Sequence, residues 1–214
     1  MKFDIETITN SMPVGIAVYI HDGGFFEGDK SETRNQKFVK VINEKGYTVI
    51  NANHRLEEYP TPVEDILNII TYYRDKTDNL LVIGESSGGY LGLIASLIMQ
   101  VKNNKSANKI ICISTLPNFY SNLVTNNVST VISKFNKENN KLACPTYYIN
   151  THNIKLQSSI EFIHSNNDFI DINIVKNFIK NNTNSCLHIV DSVATNNPHG
   201  ISDDDICNII ARVL

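Results

Sequence analysis

The chain has no block of clustered Lys and Arg: its 19 basic residues are interspersed with 22 acidic ones, for a formal net charge of −3. A nucleic-acid surface needs grouped cations to displace condensed counterions, so no nucleic-acid partner is expected. The longest apolar runs fall far short of the ~20 residues that a membrane-spanning helix requires, so no membrane partner is expected either. The first ten residues include Lys2, Asp4 and Glu6 and hold no apolar signal-peptide core, which points to a cytoplasmic protein. Cysteine is scarce: Cys112, Cys144, Cys186 and Cys207 are widely scattered, with no CxxC pair. They read as reduced core residues rather than as a disulfide frame or a zinc site. Internal repeats and linkers are absent, and Asn, although common, is dispersed through periodic segments. The 214 residues therefore read as one domain, 1–214, long enough to bury a sizeable core.

What is present is an alternation of short apolar runs and longer helical patterns. The segments 16–21, 47–51, 80–84, 110–114, 160–165 and 186–190 are rich in Ile and Val and lack strict polar alternation, as expected of strands buried on both faces. Helices are predicted over 31–44, stopping near Gly46, and over 63–74, after Pro62. Further helices are predicted over 87–101, apolar nearly all round, over 172–180 after Asp171, and over 203–214 after Ser202. Strands alternating with helices imply βαβ crossovers and a mostly parallel sheet with helices on both faces, an α/β three-layer architecture. Residues 2–8 could add an edge strand. The rhythm breaks over 115–157, where a short helix over 128–135 and a strand or extended piece over 144–148 are expected. An insertion of this length reads as functional or lid-like, at about 115–158.

The sharpest local signal is Gly84-Glu85-Ser86-Ser87-Gly88-Gly89, directly after a strand and directly before a helix. The G-x-S-x-G pattern alone is weak, but strand, sharp turn and helix supply the context it needs. Small flanking residues are required because the turn forces the serine into a strained backbone conformation. A second constellation is His21-Asp22-Gly23-Gly24-Phe25 at the end of the first strong strand. A tetrahedral oxyanion needs N–H donors aimed at it; Gly23 and Gly24 can donate from one side and Ser87 from the other. By themselves, these glycines could equally make an ordinary turn. A serine nucleophile also needs a base and an orienting acid. Of the six histidines, His21, His54, His164 and His188 lie in or at the ends of strands, and His152 lies in the insertion. His199 lies in the polar loop 195–200 between the last strand and the last helix, on the same sheet edge as Ser86. Asp168 follows strand 160–165 on that edge; Asp171, better suited to capping, and Asp191 are its rivals.

These blocks together resemble the α/β-hydrolase carboxylesterases related to hormone-sensitive lipase, with kynurenine-formamidase-like esterases nearby. His21-Asp22-Gly23-Gly24-Phe25, followed by Gly28-Asp29, is similar to the HGGGF…GD loop of that family. Asn53-His54-Arg55-Leu56, then Pro60, Pro62 and Glu64-Asp65, is similar to its YRL…P…P…D block, and residues 84–89 to its nucleophile elbow. The resemblance covers roughly residues 15–95, with a looser match through Asp168-Phe169-Ile170 and His199-Gly200. It implies Ser86 as nucleophile, Asp168 as orienter, His199 as base, and Gly23, Gly24 and Ser87 as oxyanion donors. Two departures stand out. Asp22 replaces the first glycine of the triple, and an extra carboxylate there is unfavourable unless it is paired or points away. His54 replaces a tyrosine in a structural block.

The expected activity is therefore ester hydrolysis through an acyl-enzyme, acting on a small-molecule ester without metal or organic cofactor; a homodimer is compatible with it. With about fifteen residues before the first core strand, an N-terminal cap is not expected, and 115–157 is the expected lid. Phe25, Phe26 and Tyr120, with Leu123 and Phe135, are the candidate substrate-binding residues, and a shallow pocket suggests short acyl chains. The alternatives are an amidase or peptidase using the same acyl transfer, or a hydrolase-fold protein that binds a small ligand without turnover.

Overall fold

In a strand buried on both faces, successive side chains must serve opposite layers. The computed structural model, which describes residues 3–103, 105–182, 184–191, 197 and 199–214, shows this directly. In strand β4 (Leu80–Glu85), Leu80 and Val82 enter one hydrophobic cluster while Leu81 and Ile83 enter another. The same split occurs in β2 (Gly15–Ile20), with Val18 and Ile20 on one side and Ala17 and Tyr19 on the other. The first cluster is closed by helices α2 (Thr61–Arg74) and α3 (Ser87–Asn103), and the second by α1 (Thr33–Glu44) and α7 (Asp203–Val213).

Among the described residues the sheet has seven strands in the order β1-β3-β2-β4-β5-β6-β7, with β1 (Ile5–Ile8), β3 (Tyr47–Ala52), β5 (Lys109–Ile113), β6 (Ser159–Ser165) and β7 (Ser185–Val190) completing it. Of these seven only β1 is antiparallel, along the β3 edge; every other pairing among the described residues is parallel. The loops that follow β2, β4, β6 and β7 therefore open on one sheet edge, where α/β sheets gather their ligand-binding groups. Because β2 pairs directly with β4, with Ile20 opposite Gly84, the loops after these two strands are immediate neighbours.

Element boundaries agree with the sequence expectations to within a few residues, and Ile5–Ile8 supplies the edge strand, of which Lys2 lies outside the described residues. One expected element fails. Residues 144–148 do not form a strand: α5 spans Pro145–His152 and ends at Asn153 in the left-handed region, at φ 49°. Cys144 is extended, but Pro145 sits at the first helical turn, where its fixed φ and missing N–H favour a helix start. That geometry overrides the β preference of the Tyr-Tyr-Ile run. The other helix of the 115–157 segment, α4 (Asn126–Phe135), is capped by the Thr125 side chain, which accepts from the Val128 N–H. Cys112 and Cys144 are core residues as expected, whereas Cys186 is exposed and Cys207 is half-buried. Among the described residues, no helix is long and apolar enough to cross a membrane.

The layer between β6 and α6 (Ile172–Lys180) rests on Phe162, fully buried and packed edge-on against Phe178 at 5.5 Å between ring centroids. Phe162→Ala should cost about 3–5 kcal/mol, lowering the melting temperature by on the order of 10 °C in a thermal scan. Ile189→Ala, on the exposed face of β7, should cost about 1 kcal/mol or less.

Candidate active site

The turn from β4 into α3 is built by close approaches that only glycine permits. A Cβ on Gly84 would lie 2.4 Å from the Gly88 carbonyl carbon. One on Gly88 would lie 2.3 Å from the His21 carbonyl oxygen, and one on Gly89 would lie 2.0 Å from Thr115 Oγ1. The helix start is thereby pressed onto the end of β2. Ser86, between them, is held at φ 49°, a costly conformation for a residue with a side chain. Two backbone bonds fix it: the Ser86 N–H donates to the Ile113 carbonyl at 2.8 Å, and its own carbonyl accepts from Tyr90 at 3.1 Å. Ser87 opens α3, so its N–H has no carbonyl one helical turn back to receive it.

The loop after β2 is equally constrained. Gly23, Gly24 and Phe25 have successive φ values of 118°, 58° and 76°. The Gly23 carbonyl accepts from the N–H groups of Phe26 and Glu27, closing a tight turn. His21 is buried below it, its Nδ1 donating to the Asp22 carbonyl at 2.6 Å and its ring stacked on that of His54 at 4.7 Å. Burial pushes the His54 imidazole down to about 4, so it stays neutral near pH 7. The neighbouring Arg55 pairs with Asp65 at 2.7 Å and donates its backbone N–H to the same carboxylate, bracing the start of α2.

Asp168 follows β6, and its side chain is completely buried. Its Oδ1 accepts from His199 Nδ1 at 3.0 Å and from the Ile170 N–H at 2.9 Å. His199 is itself buried, with its ring stacked on Phe169 at 4.6 Å. Its N–H donates to Asn197 Oδ1 at 2.9 Å, and Gly200 beyond it adopts φ 60°. Thr195, Asn196 and Pro198 of the polar loop lie outside the described residues. A second imidazole, His164 Nε2, lies 3.5 Å from Asp168 Oδ2 and donates to the Ile170 carbonyl. Its pKa is lowered by burial, so His164 approaches Asp168 as a neutral ring. The rival carboxylates have other duties: Asp171 caps α6 by accepting from the Asn173 N–H, and Asp191 binds the Asn166 side chain.

Ser86, Ser87, Gly23, Gly24 and His199 line one cavity of ≈ 280 Å³. Among the described residues no side-chain hydrogen bond joins Ser86 to His199; such bonds are often long before a substrate arrives. Phe25 also lines the cavity, whereas two other expected pocket residues do not. Phe26 turns away beneath the Lys134 ammonium, 4.1 Å from its ring, and Tyr120 is exposed, donating its hydroxyl to Asn139. Leu123 and Phe135 are likewise absent from the lining, Phe135 being fully buried core. The walls come instead from Tyr90, Leu116 and Phe119 on one side and from Val128, Val131 and Ile132 of α4 on the other. The i, i+3, i+4 spacing of the three α4 residues was a readable signal of one apolar helix face. Among the described residues, no group of three or more His, Cys, Asp or Glu side chains is gathered as a metal would require.

Beside the cavity lies a buried charge cluster. Glu85 is completely buried, and the two ends of its carboxylate face Arg34 at 2.5 and 2.6 Å. Burial pushes the Glu85 carboxyl up to about 7, with Arg34 opposing that rise. A folded-state value above the ordinary carboxyl range means the folded protein holds this proton where the unfolded chain has lost it. The associated stability is complete below about 4.5 and is lost as pH rises through about 7. Glu85→Gln should therefore gain melting temperature relative to the wild type between pH 5 and pH 8; a wild type that gained instead would show that the ionised pair dominates.

No curated protein sequence matches the chain. The BD-FAE family model matches residues 4–172. Several solved structures are similar in fold. An esterase/lipase from an uncultured bacterium superposes with a TM-score of 0.76 at 15% identity, covering 99% of this chain and 84% of that one. A Pyrobaculum calidifontis esterase gives 0.76 at 18% identity, covering 95% and 76% of the two chains. The PMSF-treated enzyme EstE5 gives 0.77 at 15% identity, covering 99% and 83%. The chain thus belongs to the BD-FAE family, and it shares the α/β-hydrolase fold of these esterases.

Proposed function

We propose that this protein hydrolyses carboxylic esters with short acyl chains through an acyl-enzyme formed on Ser86. The observation that carries this reading is the buried Asp168–His199 hydrogen bond at 3.0 Å, whose imidazole shares one cavity with a serine held at φ 49°. With Nδ1 committed to Asp168, His199 presents Nε2 as the basic nitrogen. It takes the Ser86 proton as Oγ attacks the ester carbonyl, then protonates the leaving alcohol; water repeats the sequence in reverse to free the acid. Asp168 holds the ring in that tautomer and stabilises its positive charge. The N–H groups of Gly23, Gly24 and Ser87 receive the oxyanion, aided by the positive end of α3. Esterases with this fold, including EstE5 soaked with p-nitrophenyl butyrate, support the choice of ester as substrate. A volume of ≈ 280 Å³, walled by Phe25, Tyr90 and Phe119, supports a small acyl group. It falls just below the roughly 300–1,000 Å³ that ligand sites span.

Ser86→Ala should lower kcat by on the order of 10⁶ and abolish labelling by a fluorophosphonate, and Asp168→Asn should lower kcat by about 10⁴. Retention of most activity by Ser86→Ala would reject the assignment, and labelling without turnover of any ester would favour an amidase. In a p-nitrophenyl ester series, kcat/KM should fall at least ~10-fold from butyryl to decanoyl chains, and Phe119→Ala should narrow that gap by removing a wall. A rising profile would reject the short-chain preference.

A further inference from the structure

Arg34 has no part in the proton transfers proposed above, yet it reaches the segments that carry them. Its guanidinium grips both oxygens of Glu85, the residue immediately before Ser86, at 2.5 and 2.6 Å. The same group lies 2.6 Å from Asp203 Oδ1, in the first turn of the helix that follows His199, and 3.5 Å from Asp22 Oδ2, immediately before Gly23. Lys37 meets Asp203 from the next turn of α1, at 3.0 Å. Three carboxylates from three segments thus converge on one planar cation. A guanidinium suits this better than an ammonium, because its fork can hold one carboxylate bidentately and still present N–H groups to others.

The chemistry of Asp22 gives this convergence a purpose. Asp22 lines the same cavity as Gly23, Gly24 and Ser86, and it stands where a negative charge is least welcome when a tetrahedral oxyanion forms. Pairing with Arg34 offsets that charge. We propose that Arg34 is a positioning residue for the proposed ester hydrolysis: it ties the Ser86 elbow, the Gly23–Gly24 loop and α7 together, and it neutralises Asp22 beside the developing oxyanion. The inference rests on the acyl-enzyme reading. Its effect belongs to the transition state, where the oxyanion is fully formed, so it acts on kcat rather than on KM.

The test is a double-mutant cycle between Arg34→Met and Asp22→Asn on p-nitrophenyl butyrate, with Ser86→Ala as a parallel control. It is run in the wild type and again with Glu85→Gln, where removing Arg34 strands no buried carboxylate, so that loss of folding in one background leaves the other readable. Arg34→Met should lower kcat at least ~10-fold while changing KM less than ~3-fold, and adding Asp22→Asn should restore at least ~5-fold of the loss in either background. Arg34→Lys, which keeps the charge and loses the fork, should fall between Met and the wild type. A purely structural Arg34 would show no such rescue, since Asp22→Asn would only remove one more contact. An active wild type, an inactive Ser86→Ala and no rescue in either background would overturn the inference alone. A wild type that neither hydrolyses esters nor accepts a fluorophosphonate would overturn the reading and the inference together.

Discussion

The close approach of the first turn of α3 to the end of β2 governs much else in this protein. Gly88 stands with its missing side chain directed at the carbonyls of Ile20 and His21, and Gly84 and Gly89 close the same gap from β4 and Thr115. Because β2 and β4 are neighbouring parallel strands, this contact sets how far the Ser86 turn stands from the Gly23–Gly24 loop. A methyl group anywhere in it would meet backbone or a fixed hydroxyl rather than a mobile side-chain end. The strain at Ser86 is therefore sustained by packing on every side, which is how such conformations persist in folded proteins.

Charge is arranged to suit that geometry. A fully buried glutamate next to the turn is held by a guanidinium from α1, whose remaining edges reach the neighbouring loop and α7. Burial and ion pairing act on Glu85 in opposite directions, and its raised pKa records that burial has the upper hand. The Asp168–His199 pair shows a different solution. There a buried carboxylate gains hydrogen bonds from an imidazole and a backbone N–H, while the second imidazole facing it, His164, is kept neutral.

The sequence made the sheet edge readable because its information is local. Gly84-Glu85-Ser86-Ser87-Gly88-Gly89 carries its own turn chemistry, and a histidine and an aspartate in post-strand loops of a parallel sheet meet wherever the strand order brings them. What stayed hidden depended on long-range packing. Nothing in Tyr120 or Phe26 reveals that their rings turn to Asn139 and Lys134 instead of the cavity. The Tyr-Tyr-Ile run after Pro145 carried a strand-like composition, and the proline at the first helical turn decided otherwise. Arg34 was invisible as part of the site, because its partners Glu85 and Asp203 are separated from it by 51 and 169 residues.

Phe135, the last residue of α4, stacks on Phe25 at 3.8 Å between ring centroids, and Phe25 is the third of three successive left-handed residues in the loop after β2. A helix that shapes the cavity wall is thereby latched to the loop whose glycines line the same cavity. The shape of the cavity and the conformation of the loop after β2 are for this reason not independent inheritances. A lineage that reshapes α4 also moves the ring on which Phe25 rests, so wall and loop must change together.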